Sequence, residues 1–165
     1  MELRFPAVWG IDLGVRSWYA ARVDLETGKH AAYSCVIKPK KTEERAKILS
    51  TLSIELATLL DGADPIYIEE PVVAGARNLR TSLMLAQTAG ALMSRISGPV
   101  TLVPVSSWKK EVCGKGNMNK EEVSAWLKVH EPTFHDNCLD DQNKIDATCI
   151  ALYGIIHQAA DKFNA

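Results

Sequence analysis

Trp9-Gly10-Ile11-Asp12-Leu13-Gly14 is an apolar, strand-like run that carries a single carboxylate and stops at a Leu-Gly turn. A lone acid inside a strand should emerge in the middle of a sheet, where its burial is costly unless a cation or a donor compensates. Outward from this segment, Ala7–Leu13 is the first of three β-prone stretches, followed by Ser17–Asp24 and Ala31–Ile37. Turn chemistry at Leu13-Gly14 and at Glu26-Thr27-Gly28-Lys29 separates them, which predicts an antiparallel meander.

Beyond the meander the period changes. From Thr42 onward Ile48, Leu49, Leu52, Leu56, Leu59 and Leu60 recur at spacings of one, three and four, an amphipathic helix ending near Asp61-Gly62. Ile66-Tyr67-Ile68 is a short apolar run that stops at Glu69-Glu70, the pattern of a buried strand. Val72–Asn78 has the composition of a loop, and a helix is predicted from Leu79 to Ile96 with apolar residues on more than one face. Val100–Val105 predicts another strand, Ser106 a helix N-cap and Ser107–Cys113 a short helix broken at Gly114-Lys115-Gly116-Asn117. A helix from Asn119-Lys120-Glu121-Glu122 through Val129 should end at His130-Glu131-Pro132, and Asp141–Ala160 should form a terminal helix. The order βββαβαβααα predicts one α/β domain over residues 1–165, a mixed central sheet flanked by helices.

The 165 residues carry 19 Lys+Arg against 20 Asp+Glu, a net charge of −1, which excludes a uniformly basic nucleic-acid coat protein. No stretch of eighteen apolar residues occurs, and Met-Glu-Leu-Arg-Phe-Pro lacks the basic-then-apolar order of a secretory signal, so an intracellular protein without a membrane partner is expected. Cys35, Cys113, Cys138 and Cys149 are scattered without a CxxC and read as free thiols. Cys113, His130, His135 and Cys138 match no strong zinc-ligand spacing.

Three acids occupy apolar contexts: Asp12 in the first strand, Glu69 at the end of a central strand, and Asp146 in the helix Asn143-Lys144-Ile145-Asp146-Ala147-Thr148-Cys149-Ile150-Ala151-Leu152. Strand ends are where active-site groups gather in open α/β sheets. Taken singly, each acid could cap a turn or make a surface pair. Taken together, they predict a hard oxygen cage for Mg²⁺, with Mn²⁺ as a substitute. Two such ions about 4 Å apart activate water and stabilise the leaving oxygen in phosphodiester hydrolysis.

Gly10-Ile11-Asp12-Leu13-Gly14, Ile68-Glu69-Glu70 with Gln87-Thr88-Ala89-Gly90, and Asp146-Ala147 with Ile150-Ala151 resemble the RuvC family of Holliday-junction resolvases in order and spacing, over nearly the whole chain. The segment Val105–Lys120 also resembles that family, with Lys109 and Lys120 on either side of a Gly-x-Gly turn. The resemblance implies an RNase H-like fold and a homodimer, for which the helix 79–96 is the candidate interface. It implies two Mg²⁺ per active site and paired nicks in opposed strands of a four-way junction, leaving 5′-phosphate and 3′-hydroxyl ends. Asp12, Glu69 and Asp146 would hold the metal, and Lys109 and Lys120 would stand at the scissile phosphate. It further implies a cytoplasmic protein, of a bacterial cell or a phage-infected host.

Two positions depart from the family pattern. Asn143 stands three residues before the last acid, where another Asp or a His is usual. Helical spacing favours Asn143 as the fourth ligand, whereas charge favours Asp141. Val72 stands where bacterial members place an aromatic wedge, which leaves Arg77, Asn78 or Arg80 to open the junction. Glu70 should face away from Glu69 and be structural. Trp9 and Trp18 should be core, while Trp108 and Trp126 should pack amphipathically or stack on DNA. From Val73 to His130 eight basic residues face three acids. Arg77, Asn78, Arg80, Lys109, Lys110, Lys115 and Lys120 are therefore the expected DNA contacts. Competing readings are a YqgF-type RNA-processing nuclease and a branched-DNA-binding protein of weakened catalysis. An actin-like sugar kinase would need two such lobes.

Overall fold

The computed structural model describes residues 7–38, 44–60, 62, 64–72 and 79–163. Three strands come first, β1 (Ala7–Leu13), β2 (Ser17–Asp24) and β3 (His30–Val36), followed by helix α1 (Arg45–Leu59), strand β4 (Ile66–Glu69), helix α2 (Leu79–Met93) and strand β5 (Val100–Val103). The described residues end in helices α3 (Val105–Cys113), α4 (Lys120–His130), α5 (Pro132–Asn137) and α6 (Gln142–Phe163). The sheet order is β3-β2-β1-β4-β5. β2 pairs antiparallel with β1 and β3, whereas β4 pairs parallel with β1 and β5. This is the mixed sheet flanked by helices that the order of patterns predicts.

Strand parity divides the core. Side chains alternate across a sheet with a period of two. Trp9, Ile11, Trp18, Ala20, Ile66 and Ile68 pack with Ile48, Leu52 and Leu56 of α1 and Leu92 of α2. Val8, Tyr67 and Val103 point the other way, into a cluster with Trp108, Val123, Leu127, Ile145 and Ile150 from α3, α4 and α6. Asp12, two positions after Gly10 and four after Val8, therefore belongs to the α6 face. Glu69, two after Tyr67, belongs to it as well. On β2, Ala21 and Val23 pack with Ala147 and Ala151 of α6, and Tyr19 packs at the margin of the same group.

Helix α6 lies directly on β1 at Gly10. A Cβ at Gly10 would stand 2.2 Å from both the Ala147 carbonyl oxygen and the Ala151 nitrogen, so helix backbone rests where a side chain would be. Ala147 and Ala151 are fully buried and small enough to permit that approach. This contact carries Asp146, the neighbour of Ala147, to the end of β1 that bears Asp12.

Several boundaries differ from expectation. Ser106 is not an N-cap, because Val105 is already helical and Pro104 supplies the extended capping residue. The chain after Glu131 does not stay irregular: Pro132 opens α5, since a proline at the first helical position loses an N–H that would have no intrahelical partner. Leu139 and Asp140 then take left-handed backbone angles, with φ of 53° and 57°. Helix α2 ends at Met93 and β5 at Val103, both short of the predicted limits. α1 is described from Arg45, and its predicted start at Thr42 lies outside the described residues. Trp9 and Trp18 are core, as expected, and all four cysteines are free thiols.

Candidate active site

One cavity of about 370 Å³ opens at the carboxyl ends of β1 and β4. Asp12 from β1, Glu69 from β4, Asp146 and Asn143 from α6, Lys109 from α3 and Lys120 from α4 all line it. Residues far apart in sequence thus meet for three physical reasons. Strand parity aims Asp12 and Glu69 at the α6 face. The Gly10 contact brings Asp146 to them. The Asn119 capping box starts α4 with Lys120 as its first residue: the Asn119 side chain accepts from Glu122 N, and the Glu122 carboxylate accepts from Asn119 N.

The carboxylates are electrostatically frustrated. Burial, then the charges of Glu69 and Asp146, push the Asp12 carboxyl from its ordinary 3.8 up to about 8, against the pull of Lys120. Burial likewise raises Glu69, opposed by the hydrogen bond from Trp108. It raises Asp146, opposed by Gln142 and by Lys120 and Lys109. Desolvation and like charge both disfavour the ionised forms. A bound cation would relieve them.

Local bonds hold the side chains in place. Trp108 Nε1 donates to Glu69 Oε2 at 3.1 Å. Gln142 Nε2 donates to Asp146 Oδ1 at 3.1 Å, one helical turn away. Lys120 Nζ donates to Asn143 Oδ1 at 3.4 Å and lies 4.0 Å from Asp146 Oδ2. Lys109 Nζ donates to the Met118 carbonyl at 2.8 Å, spanning the Gly114–Gly116 turn. Asp141 is engaged otherwise: its Oδ1 accepts from the backbone N–H groups of Asn143 and Lys144 at the start of α6, and it does not line the cavity.

Among the described residues, no three His, Cys, Asp or Glu side chains are gathered tightly enough to hold an ion unaided. The donor set nevertheless has the chemistry of a hard divalent cation: three carboxylates on one wall, destabilised as anions, and the Asn143 amide oxygen beside them. By residue type, though not by their present spacing, these groups suit a hard divalent cation such as Mg²⁺ or Mn²⁺.

Of the other predicted contacts, Arg80, Lys110 and Lys115 do not line the cavity. Arg80, Lys110 and Lys115 are exposed, and Arg77 and Asn78 lie outside the described residues. Glu70 does not line the carboxylate cavity, and its N–H donates to the Val103 carbonyl at 2.8 Å. Val72 is 55% exposed. Trp126 stacks on His130, whereas Trp108 is wholly buried and its Nε1–H donates to Glu69.

Some residues of the site escape a reading of the sequence. Tyr19 and Ser17 line the cavity. Tyr19 could have been found from the hairpin register, which sets it opposite Asp12. Gln142 could have been found from its four-residue spacing to Asp146. Arg45, outside the cavity, gave no signal: its guanidinium donates to the Val15 carbonyl, to the Met84 carbonyl at 2.6 Å, to Thr88 Oγ1 at 2.8 Å and to Gln87 Oε1 at 3.4 Å. It thereby ties the β1–β2 turn to α2 and gives the Gln87-Thr88 pair a structural use.

The fold, a mixed five-stranded sheet with flanking helices, matches RuvC and RNase H-like resolvase folds. The structure is similar to RuvC of Thermus thermophilus, at a TM-score of 0.65 and 21% identity over 88% of this chain and 91% of that one. It is similar to the same protein in complex with a Holliday junction substrate, at 0.67 and 19% over 88% and 90%. The yeast mitochondrial Holliday junction resolvase Ydc2 follows at 0.55 and 15% over 89% and 77%. Residues 12–155 match the family DUF3882, described as Lactococcus phage M3 protein, and the chain belongs to that family. No curated relative matches the chain. Among the described residues no helix is long and apolar enough to cross a membrane.

Proposed function

We propose that this chain is a structure-selective endodeoxyribonuclease that resolves four-way DNA junctions by paired nicks. The observation that carries the reading is the convergence of Asp12, Glu69 and Asp146 with Lys109 and Lys120 on one cavity. The similarity in fold to a resolvase solved with its junction substrate supports the choice of branched DNA.

Asp12, Glu69 and Asp146, with Asn143, would hold Mg²⁺, two ions by expectation. The metal, when bound, supplies Lewis acidity and an ionised water at neutral pH. The chain's own part is to orient and to neutralise. Lys109 and Lys120 place ammonium groups where charge grows on the scissile phosphate, and a preorganised donor of this kind contributes about 10²–10³ in rate. Lys110 on α3, Lys115 in the turn after it and Arg80 on α2, all exposed, would engage flanking phosphates with a marked salt dependence.

A junction presents two equivalent strands, and a C2 dimer two equivalent sites. Leu79 and Leu83, 49% and 56% exposed on α2, are large apolar side chains that a partner copy would cover. A second reading, a binder of weakened catalysis, is favoured by Asn143 and its bond to Lys120.

Cleavage of a four-way DNA junction, linear duplex and structured RNA in Mg²⁺, Mn²⁺ and chelator tests the proposal. Paired symmetric nicks with 5′-phosphate ends on the junction alone are expected. Tight junction binding without nicks in either metal would establish the binder instead, and cleavage of RNA alone would establish an RNA-processing nuclease.

A further inference from the structure

Trp108 is wholly buried at the centre of α3, yet it touches two charged groups of the cavity. Its Nε1–H donates to Glu69 Oε2 at 3.1 Å. Its ring carries the Lys109 ammonium 5.4 Å from the centroid. Both contacts come from one side chain that cannot turn, because Val123, Leu127, Ile145 and Ile150 pack the cluster around it.

From this bracket we infer that Trp108 is a positioning residue of the active site, fixing Glu69 through its N–H and Lys109 through its ring face. The inference rests on the nuclease reading and deepens it. A carboxylate at a strand end can rotate about its last torsion. With Oε2 held by the indole, that rotation is stopped and Oε1 is left for a cation. Donors of this kind behind metal ligands set the ligand's orientation, and their loss typically costs 10–100-fold in metal affinity. Of the aromatic side chains only Trp combines a buried, acceptor-free N–H donor with a broad face for an ammonium group. Tyr would bring a hydroxyl of different reach, and Phe would keep a face but lose the donor.

The inference makes the two contacts separable. Trp108→Phe retains a ring beneath Lys109 and loses the bond to Glu69, whereas Trp108→Leu loses both. Mn²⁺ affinity of the DNA-free protein, measured by calorimetry or electron paramagnetic resonance, should fall ~10–100-fold in Trp108→Phe. Junction affinity and KM should stay within twofold, kcat should fall, and the far-ultraviolet spectrum and cooperative melting should be retained. Wild-type Mn²⁺ affinity in a folded Trp108→Phe protein would overturn the inference while leaving the nuclease reading intact.

A metal-free readout keeps the two apart in the other direction. The Trp108 indole N–H resonance should shift upfield and exchange faster with water in Glu69→Ala. An unchanged indole signal would overturn the inference whatever the protein cleaves. A shifted signal in a protein that neither binds Mn²⁺ nor cuts junctions would uphold the fixing of Glu69 and overturn the nuclease reading.

Discussion

Lys120 holds its ammonium 4.0 Å from the Asp146 carboxylate although 59% of its side chain is exposed. A 4.0 Å pair whose cation is open to solvent contributes only about 1 kcal/mol to stability, even with a buried carboxylate. Its use must lie elsewhere. Lys120→Met is therefore expected to melt within a few degrees of the parent and to cut junctions ~10²–10³ times more slowly, with junction binding nearly retained at low salt. Cleavage and gel-shift assays on the same preparation check the split, and equal rates would remove Lys120 from the chemistry.

Asp12 should cost the metal-free fold stability. Its carboxyl lies at about 8 against an ordinary 3.8, through burial first and the neighbouring acids second. A raised folded-state value stabilises below the unfolded value and loses that contribution as pH rises through the folded one. Metal-free stability should then decline from about pH 4 to pH 8. Asp12→Asn should remove most of that slope and exceed the parent by about 2–4 kcal/mol at pH 8, while losing Mn²⁺ binding and cleavage. Urea unfolding in chelator reads the difference; parent and variant of equal stability at pH 8 would show that the charge is not buried.

His30 acts with the opposite sign. Burial lowers it from 6.5 to about 4, and its Nε2 lies 2.9 Å from Thr148 Oγ1 while its ring stacks on Phe134. The unfolded chain binds a proton first, so this contribution is complete above pH 6.5 and is lost as pH falls toward 4. The loss amounts to at most about 3 kcal/mol. It is best seen in the Asp12→Asn background, where the largest opposing contribution is gone and only those of Glu69 and Asp146 remain. Replacing His30 by Gln there should flatten the curve between pH 6.5 and 4.

Gly10→Ala should be among the most damaging single changes. The added methyl would meet backbone of α6 at 2.2 Å, not a side chain that could turn aside. Overpacking of a core typically costs 1–3 kcal/mol, and a backbone collision should reach about 3 kcal/mol or more. Chemical denaturation measures the loss. A folded variant should also bind Mn²⁺ more weakly, because Asp146 moves with α6.

Much of this molecule is legible in its sequence. Asp12, Glu69 and Asp146 could be linked because each interrupts an apolar run, and an apolar run predicts burial. Lys109 and Lys120 were legible only through the family resemblance of their segment, and Trp9 and Trp18 through their place beside the first acidic motif. Helix α5 was not legible, since Pro132 both stops one helix and starts the next. Nor was the role of Trp108, because its bond to Glu69 spans 39 residues and depends on the angle at which α3 leaves β5. Arg45 was hidden for a related reason: its acceptors at Val15 and Met84 are backbone carbonyls, which no side-chain pattern marks.

The backbone contact between β1 and α6 also bears on what can drift. Val105 and Tyr19 reach the cavity by their side chains, each replaceable on its own. The separation of the strand bearing Asp12 from the helix bearing Asp146 is set by main-chain thickness, a gauge kept by the small residues Gly10, Ala147 and Ala151. Descendants of this chain can therefore alter what the cavity admits at little risk to the spacing at which its acids act.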